Sequence, residues 1–222
     1  MSTPAAPVRI DPMGESAVLV TLGDTIDQVV NAWARALAAA VDADAGLGRA
    51  VPAYASVLVP FDPLALSVAE ASAAVARIVA ATDVVPAAVA APGRIVEIPV
   101  RYGGVDGPDL DEVARLHDLR PDDVVEIHAG TEYDAFFLGF APGFAYLGPL
   151  PASIATPRLD IPRPRVPAGS VAIGGSQTAV YPTETPGGWR LIGRTNARLW
   201  DASRAEPALI RPGDRVRFVP VR

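Results

Sequence analysis

Between His128 and Thr195 the chain is broken by glycine and proline so often that only short strands and shaped loops can form there. Three blocks carry the pattern: FFLGFAPGFAYLG (136–148), PRLDIPRPRVPAGSVAIGGSQTAVYP (157–182) and TPGGWRLIGRT (185–195). Glycine allows positive φ and close backbone approach, while proline fixes φ and removes an N–H donor. Alternated with aromatics and arginines, they specify loops of one shape, and shaped loops on a rigid scaffold carry function. The site is therefore expected here.

Short strands are read at Phe136–Phe140, Ser170–Ile173, Thr178–Tyr181, Trp189–Ile192 and Arg215–Val221, a spacing that suggests a small β-barrel or sandwich. Ahead of them, Arg94–Tyr102 reads as a strand. Asp109–Leu119 reads as a helix with Leu110, Val113 and Leu116 inward. Pro121 suits the first turn of a helix ending near Gly130. A linker at Ala90–Gly93 divides the chain into residues 1–92 and 93–222. In the first part Glu15–Leu22 and Tyr54–Val59 read as strands. Asp24 or Thr25 is expected to cap a helix with Ile26, Val29, Val30, Trp33, Leu37 and Val41 on one face. Ser67 with Glu70 makes a capping box for a second, alanine-rich helix. The alternation fits a ferredoxin-like βαββαβ unit whose fourth strand is either Asp83–Val85 or Ile95–Val100.

Composition excludes several chemistries. There is no cysteine, hence no thiolate nucleophile or thiolate metal site, and no lysine, hence no Schiff base and no Walker-type phosphate loop. All nineteen cationic side chains are arginine. A net charge of −6 without a basic run argues against nucleic acid. The two histidines, His117 and His128, are too few for a histidine metal site. No stretch approaches the length of a membrane span, and the opening residues lack the charged and apolar regions of a signal peptide, so a cytoplasmic protein is expected.

Four groups of residues are candidates for the site. Phe144 and Tyr146 lie between glycines, either as a loop closing over a small planar ligand or as a turn plugging the barrel end. Arg158, Arg163 and Arg165 lie within eight residues of proline-stiffened chain. That favours gripping a carboxylate or phosphate over a solvated loop paired with the chain's own acids. Gly175 belongs to a possible backbone N–H cluster, and Gln177 offers a donor and an acceptor to an amide. Tyr181, four residues beyond Gln177, shares its strand face if both lie on one strand. His128, near a helix C-terminus, is the candidate general base, although a histidine there commonly compensates the helix dipole; His117 is expected at the surface.

At these residues the sequence resembles the KipI / allophanate hydrolase subunit 1 family, which includes the B subunit of 5-oxoprolinase. The resemblance rests on residues 128–148, 156–182 and 185–195, with weaker agreement at 52–63 and 212–218. It implies an α+β chain: an N-terminal ferredoxin-like domain followed by a C-terminal cyclophilin-like β-barrel. It also implies a cleft shared with a partner of the allophanate hydrolase subunit 2 type, the C subunit of 5-oxoprolinase. An A subunit of the lactam-utilisation type completes the ATP-dependent opening of 5-oxoproline to glutamate. ATP with Mg would act in the assembled complex, with nothing covalently bound, and this chain would be inactive alone. Relatives in the family also serve urea or allophanate pathways, or inhibit a sensor histidine kinase.

Overall fold

The computed structural model describes residues 7–82 and 93–222, and the chain divides into two units, residues 1–92 and 93–222. In the first unit the elements are β1 (Arg9–Pro12), β2 (Ala17–Thr21), α1 (Gln28–Asp42), β3 (Val51–Pro52), β4 (Ser56–Pro60) and α2 (Val68–Ala81). The four strands form one antiparallel sheet in the order β1-β2-β4-β3. Period-two alternation puts Val20, Val57 and Val59 on one face, where they pack with Leu37 and Val41 of α1 and Val75 of α2. The capping box at the start of α2 forms as read, with Ser67 Oγ accepting from Glu70 N and Glu70 Oε2 accepting from Ser67 N.

The start of α1 differs from the reading. Asp27, not Asp24 or Thr25, is the cap, its Oδ1 accepting from the backbone N–H groups of Val29 and Val30. Ile26 therefore precedes the helix and Val29 lies in its first turn, and both are exposed rather than inward. The fourth-strand reading also changes. Ile95–Val100 belongs to the second unit, Asp83–Val85 lies outside the described residues, and β1 pairs with the free edge of β2 instead.

The second unit contains β5 (Ile95–Tyr102), α3 (Leu110–Leu116), α4 (Pro121–Ala129), β6 (Glu132–Leu138) and β7 (Ala145–Gly148), then a single 3₁₀ turn at Ala152–Ile154. After it come β8 (Arg163–Val166), β9 (Ser170–Gly174), β10 (Gln177–Val180), β11 (Thr185–Gly187), β12 (Arg190–Arg194) and β13 (Arg215–Pro220). Seven strands close a barrel in the order β10-β7-β6-β13-β5-β12-β9, while β8 and β11 form a separate two-stranded ribbon. All barrel ladders are antiparallel except β5–β13. The fold is thus mixed α/β, with a closed seven-stranded barrel and four α-helices among the described residues. No described helix is long and apolar enough to cross a membrane. Leu116 is exposed because α3 ends there; Leu110 and Val113 do face the core.

His128 lies at the centre of this core. It has no exposed surface and packs against the rings of Tyr102, Tyr133 and Phe218. Thr178 Oγ1 donates to the Ala172 carbonyl, 3.0 Å away, so it must accept from His128 Nε2 at 2.9 Å. The ring is then the Nε2–H tautomer, and Nδ1 accepts from the Tyr102 hydroxyl at 2.7 Å. Tyr133 Oη donates to the His128 carbonyl. Burial pushes the imidazole pKa down to about 3 and is the main cause that raises those of Tyr102 and Tyr133. With both nitrogens committed and no atom at the surface, His128 holds the core together, and the expectation that it serves as a general base fails.

A depressed pKa means that the unfolded chain takes up a proton below its ordinary pKa while the folded chain does not. The stability contributed by His128 is complete above about pH 6.5 and declines as pH falls towards about 3. Denaturant titrations of the wild type and His128→Gln across this window are expected to show a steeper acid loss in the wild type, by up to about 1.4 kcal/mol per pH unit. Equal slopes would show that the imidazole is not held neutral.

Candidate functional site

Strand alternation builds a second apolar layer on the outside of the barrel. On β9, β10 and β12 the residues Val171, Ile173, Val180 and Ile192 face inward, while Ala172, Ala179 and Leu191 face outward. Over the outward alanines pack Phe144, Tyr181, Trp189 and Val166, with Tyr146 and Ala141 at the margin. The rings are edge-to-face: Phe144 lies 5.0 Å from Tyr146, 5.4 Å from Tyr181 and 5.9 Å from Trp189. Phe137 stacks on Tyr146 at 4.5 Å. Phe140 stands at the rim, 60% exposed and with φ +61, in the left-handed region that costs a side chain energy.

Two glycines allow this close packing. A Cβ on Gly174 would lie 2.5 Å from the Trp189 ring, so only a bare backbone lets the indole lie flat on the β9–β10 hairpin. Gly143, at φ +83, turns the chain beside Leu199 and Trp200, where a Cβ would meet backbone. The PGFAYLG segment is thus half turn and half strand β7, and Phe144 is a buried part of the layer rather than a mobile flap.

The arginines separate into different roles. Arg163 Nη2 contacts Asp109 Oδ1 at 2.6 Å, and the other oxygen of this buried carboxylate accepts from Leu191 N, also at 2.6 Å. Arg163 is therefore part of the clamp that fastens the β8–β11 ribbon to α3 and β12. The prolines place it on a paired strand, not on a free loop. Arg165 is largely exposed beside Glu184, a pair worth little in water. Arg158 remains: its guanidinium carbon lies 5.6 Å above the centre of the Trp189 ring, and it forms no ion pair among the described residues. Its positive charge opposes the rise that burial imposes on the hydroxyl pKa values of Tyr146 and Tyr181.

Gly175 and Ser176 form a two-residue hairpin turn with φ +62 at Gly175, which fits the II′ pattern. The Gly175 N–H is committed to the Thr156 carbonyl at 2.8 Å, so the expected anion-binding backbone cluster is not free. Gln177 is paired with Gly174 at the start of β10, two residues before the outward Ala179, while Tyr181 lies just beyond the strand's end. Its Oε1 is buried and finds no hydrogen-bond partner. His117, expected at the surface, is half-buried, and its Nε2 lies 3.1 Å from Thr156 Oγ1.

The structure thus gathers Phe144, Tyr146, Tyr181 and Arg158 around Trp189, with Gln177 on β10 opposite Gly174. It leaves His128 inside the barrel and Arg165 outside the layer. Trp189, Asp109 and Phe140 do not stand out in the sequence; the only local signal is the glycine pair before Trp189. The residues around Trp189 include no carboxylate that could hold Mg. Among the described residues no group of three or more His, Asp or Glu could hold a metal ion, and the glycines belong to a hairpin rather than a helix start.

The family model for the carboxyltransferase domain, subdomain C and D, matches residues 8–210. The chain belongs to this family. It is 40% identical over 232 residues to the B subunit of 5-oxoprolinase from Bacillus subtilis (strain 168), covering 96% of this chain and 92% of that protein. A crystal structure of TTHA0988 superposes with a TM-score of 0.80 at 39% identity, over 93% of this chain and 40% of that one. The K. lactis urea amidolyase has the same fold, with a TM-score of 0.79 at 20% identity over 96% of this chain and 15% of that one. The KipI / allophanate hydrolase subunit 1 resemblance agrees with this membership.

Two substitutions test how this carboxyltransferase-family layer is held. Gly174→Ala is expected to displace the indole, lowering stability by about 1–3 kcal/mol and altering the near-UV circular dichroism. An unchanged spectrum would refute the packing. Arg163→Ala should destabilise by on the order of 2 kcal/mol, because Asp109 would keep a buried charge without its cation. A denaturation midpoint equal to that of the wild type would show that the clamp is not needed.

Proposed function

We propose that this chain is the B-type subunit of an ATP-dependent 5-oxoprolinase, and that the aromatic layer around Trp189 forms the chain's part of a substrate cleft completed by a partner protein. The observation that carries this reading is the match to the 5-oxoprolinase B subunit of Bacillus subtilis along nearly the whole of both chains. The geometry supports it in kind. A small lactam offers a planar amide for an aromatic surface, a carboxylate for an arginine, and an N–H for a carbonyl acceptor.

On this reading the first unit is a ferredoxin-like domain in which β1 takes the edge position, and the second is a cyclophilin-like barrel. The partners are the C-type component, of the allophanate hydrolase subunit 2 type, and the A-type component, of the lactam-utilisation type, acting together in the cytoplasm. ATP hydrolysis in the complex would supply the driving force for opening the ring. The residues gathered on this chain bind and orient, and nucleotide chemistry is assigned to the rest of the assembly. The chain alone is then inactive.

The test mixes this chain with its two partners and measures ATP hydrolysis with and without 5-oxoproline. Turnover that depends on 5-oxoproline and vanishes when this chain is left out is expected. A demonstrably assembled complex that hydrolyses ATP without any response to 5-oxoproline would overturn the assignment and turn attention to urea-type amides.

A further inference from the structure

One exposed ring on the aromatic layer is held in place at a conformational cost. The Ala141 N–H donates to the Gly139 carbonyl, two residues back, at 2.6 Å. Phe140, at φ +61, is therefore the centre of a γ-turn of the rare, strained hand. Glycine would adopt this conformation freely, yet a phenylalanine occupies it. Its ring gains little burial in return: it meets Phe144 at 5.2 Å and Tyr181 at 6.2 Å, both edge-on, and stays 60% exposed. Gly139 N donates to the Phe144 carbonyl and Phe144 N to that of Ala141, so the backbone that aims the ring is fixed. Trp200, 37% exposed, adjoins the same turn with its Cβ against Gly143. Along the layer Phe144 leads to Trp189, and over that indole lies the exposed Arg158, which forms no ion pair among the described residues. Backbone strain of this kind gathers where a protein meets something else.

We propose that Phe140, with Trp200 beside it, is the anchor on which a partner protein docks over the aromatic layer, and that Arg158 receives a carboxylate of that partner. The ring stands out from the surface instead of lining a recess, so the recess it fills belongs to another molecule. Aromatic anchors and arginine are what protein interfaces concentrate, and a ring held in position beforehand loses little entropy on insertion. The occupant is a different chain rather than a second copy. In a two-fold pair the patch meets itself, and Phe140, Trp200 and Arg158 offer one another neither a carboxylate nor a recess. This module also accounts for 40% of the TTHA0988 chain, at 39% identity, but for 92% of the B. subtilis relative. It thus occurs both as most of a subunit and as the lesser part of a longer polypeptide, in the company of other sequence. The identity of the occupant, the C-type component, rests on the function proposed above.

The test titrates the full chain with the purified C-type component by calorimetry, without ATP or 5-oxoproline. Phe140→Gly and Phe140→Asn both remove the ring, and both residues tolerate positive φ. Each is expected to keep the melting temperature of the free chain within a few degrees of the wild type, yet to weaken the complex by about thirtyfold or more. Arg158→Glu should weaken it by about tenfold or more, a loss that shrinks as salt is added. Wild-type affinity in both Phe140 variants would overturn the anchor, as would a wild-type chain that does not bind the C-type component. A large fall in melting temperature in both variants would make the ring part of the core and overturn it too. Self-association lost in Phe140→Gly, with affinity for the C-type component unchanged, would give the surface to a second copy instead. Unchanged affinity with lost turnover would give the ring to the substrate instead. Weakened docking in a complex that ignores 5-oxoproline would uphold the surface and reject only the oxoprolinase assignment.

Discussion

The barrel depends on the hydrogen-bond chain that runs from Tyr102 through His128 to Thr178 and the Ala172 carbonyl. It links β5, the end of α4, β10 and β9 through groups buried away from water. An imidazole in such a place must be neutral, and its two nitrogens must meet one donor and one acceptor. The arrangement meets both demands, and Tyr133 Oη satisfies the histidine's own carbonyl. A polar chain of this kind selects one register among the many that an apolar lining would tolerate. Strands β9 and β10 then have fixed inner faces, and so fixed outer ones.

From those outer faces follows the candidate site. Period-two alternation turns the small residues Ala172, Ala179 and Gly174 outward, leaving room for a layer of large rings. The ribbon of β8 and β11 covers one side of the layer, held by the Asp109 carboxylate, which receives Arg163 on one oxygen and Leu191 N on the other. The site is consequently a rigid surface, with polar groups set into it by backbone pairing. Binding on such a surface loses little conformational entropy.

Most of the fold was legible because its elements follow local rules. The Ser67 capping box, Pro121 in the first turn of α4 and the alternating valines of β2 and β4 each declare themselves within a few residues. What the sequence hid was non-local or disguised. Strands β7 and β8 lie inside segments so rich in glycine and proline that they read as loops, yet each finds a partner strand. Arginines alike in sequence diverge because Asp109, 54 residues before Arg163, claims one of them. A histidine at a helix end looks the same whether its ring meets water or Tyr133 and Phe218. Side-chain identity announced the chemistry available; burial and distant partners decided which of it was free.

The parallel ladder between β5 and β13 has a consequence for how the chain is made. It runs from Arg215 opposite Ile95 to Pro220 opposite Val100, so the two strands are about 120 residues apart in synthesis. At about 5–20 residues per second, roughly 6–24 s pass before β5 can meet β13. Throughout that interval Val96, Ile98 and Val100 lack one wall of the core they will share with Val216 and Phe218. The barrel therefore cannot close until the segment 215–220 has been made, because β13 is the strand that joins β5 to β6.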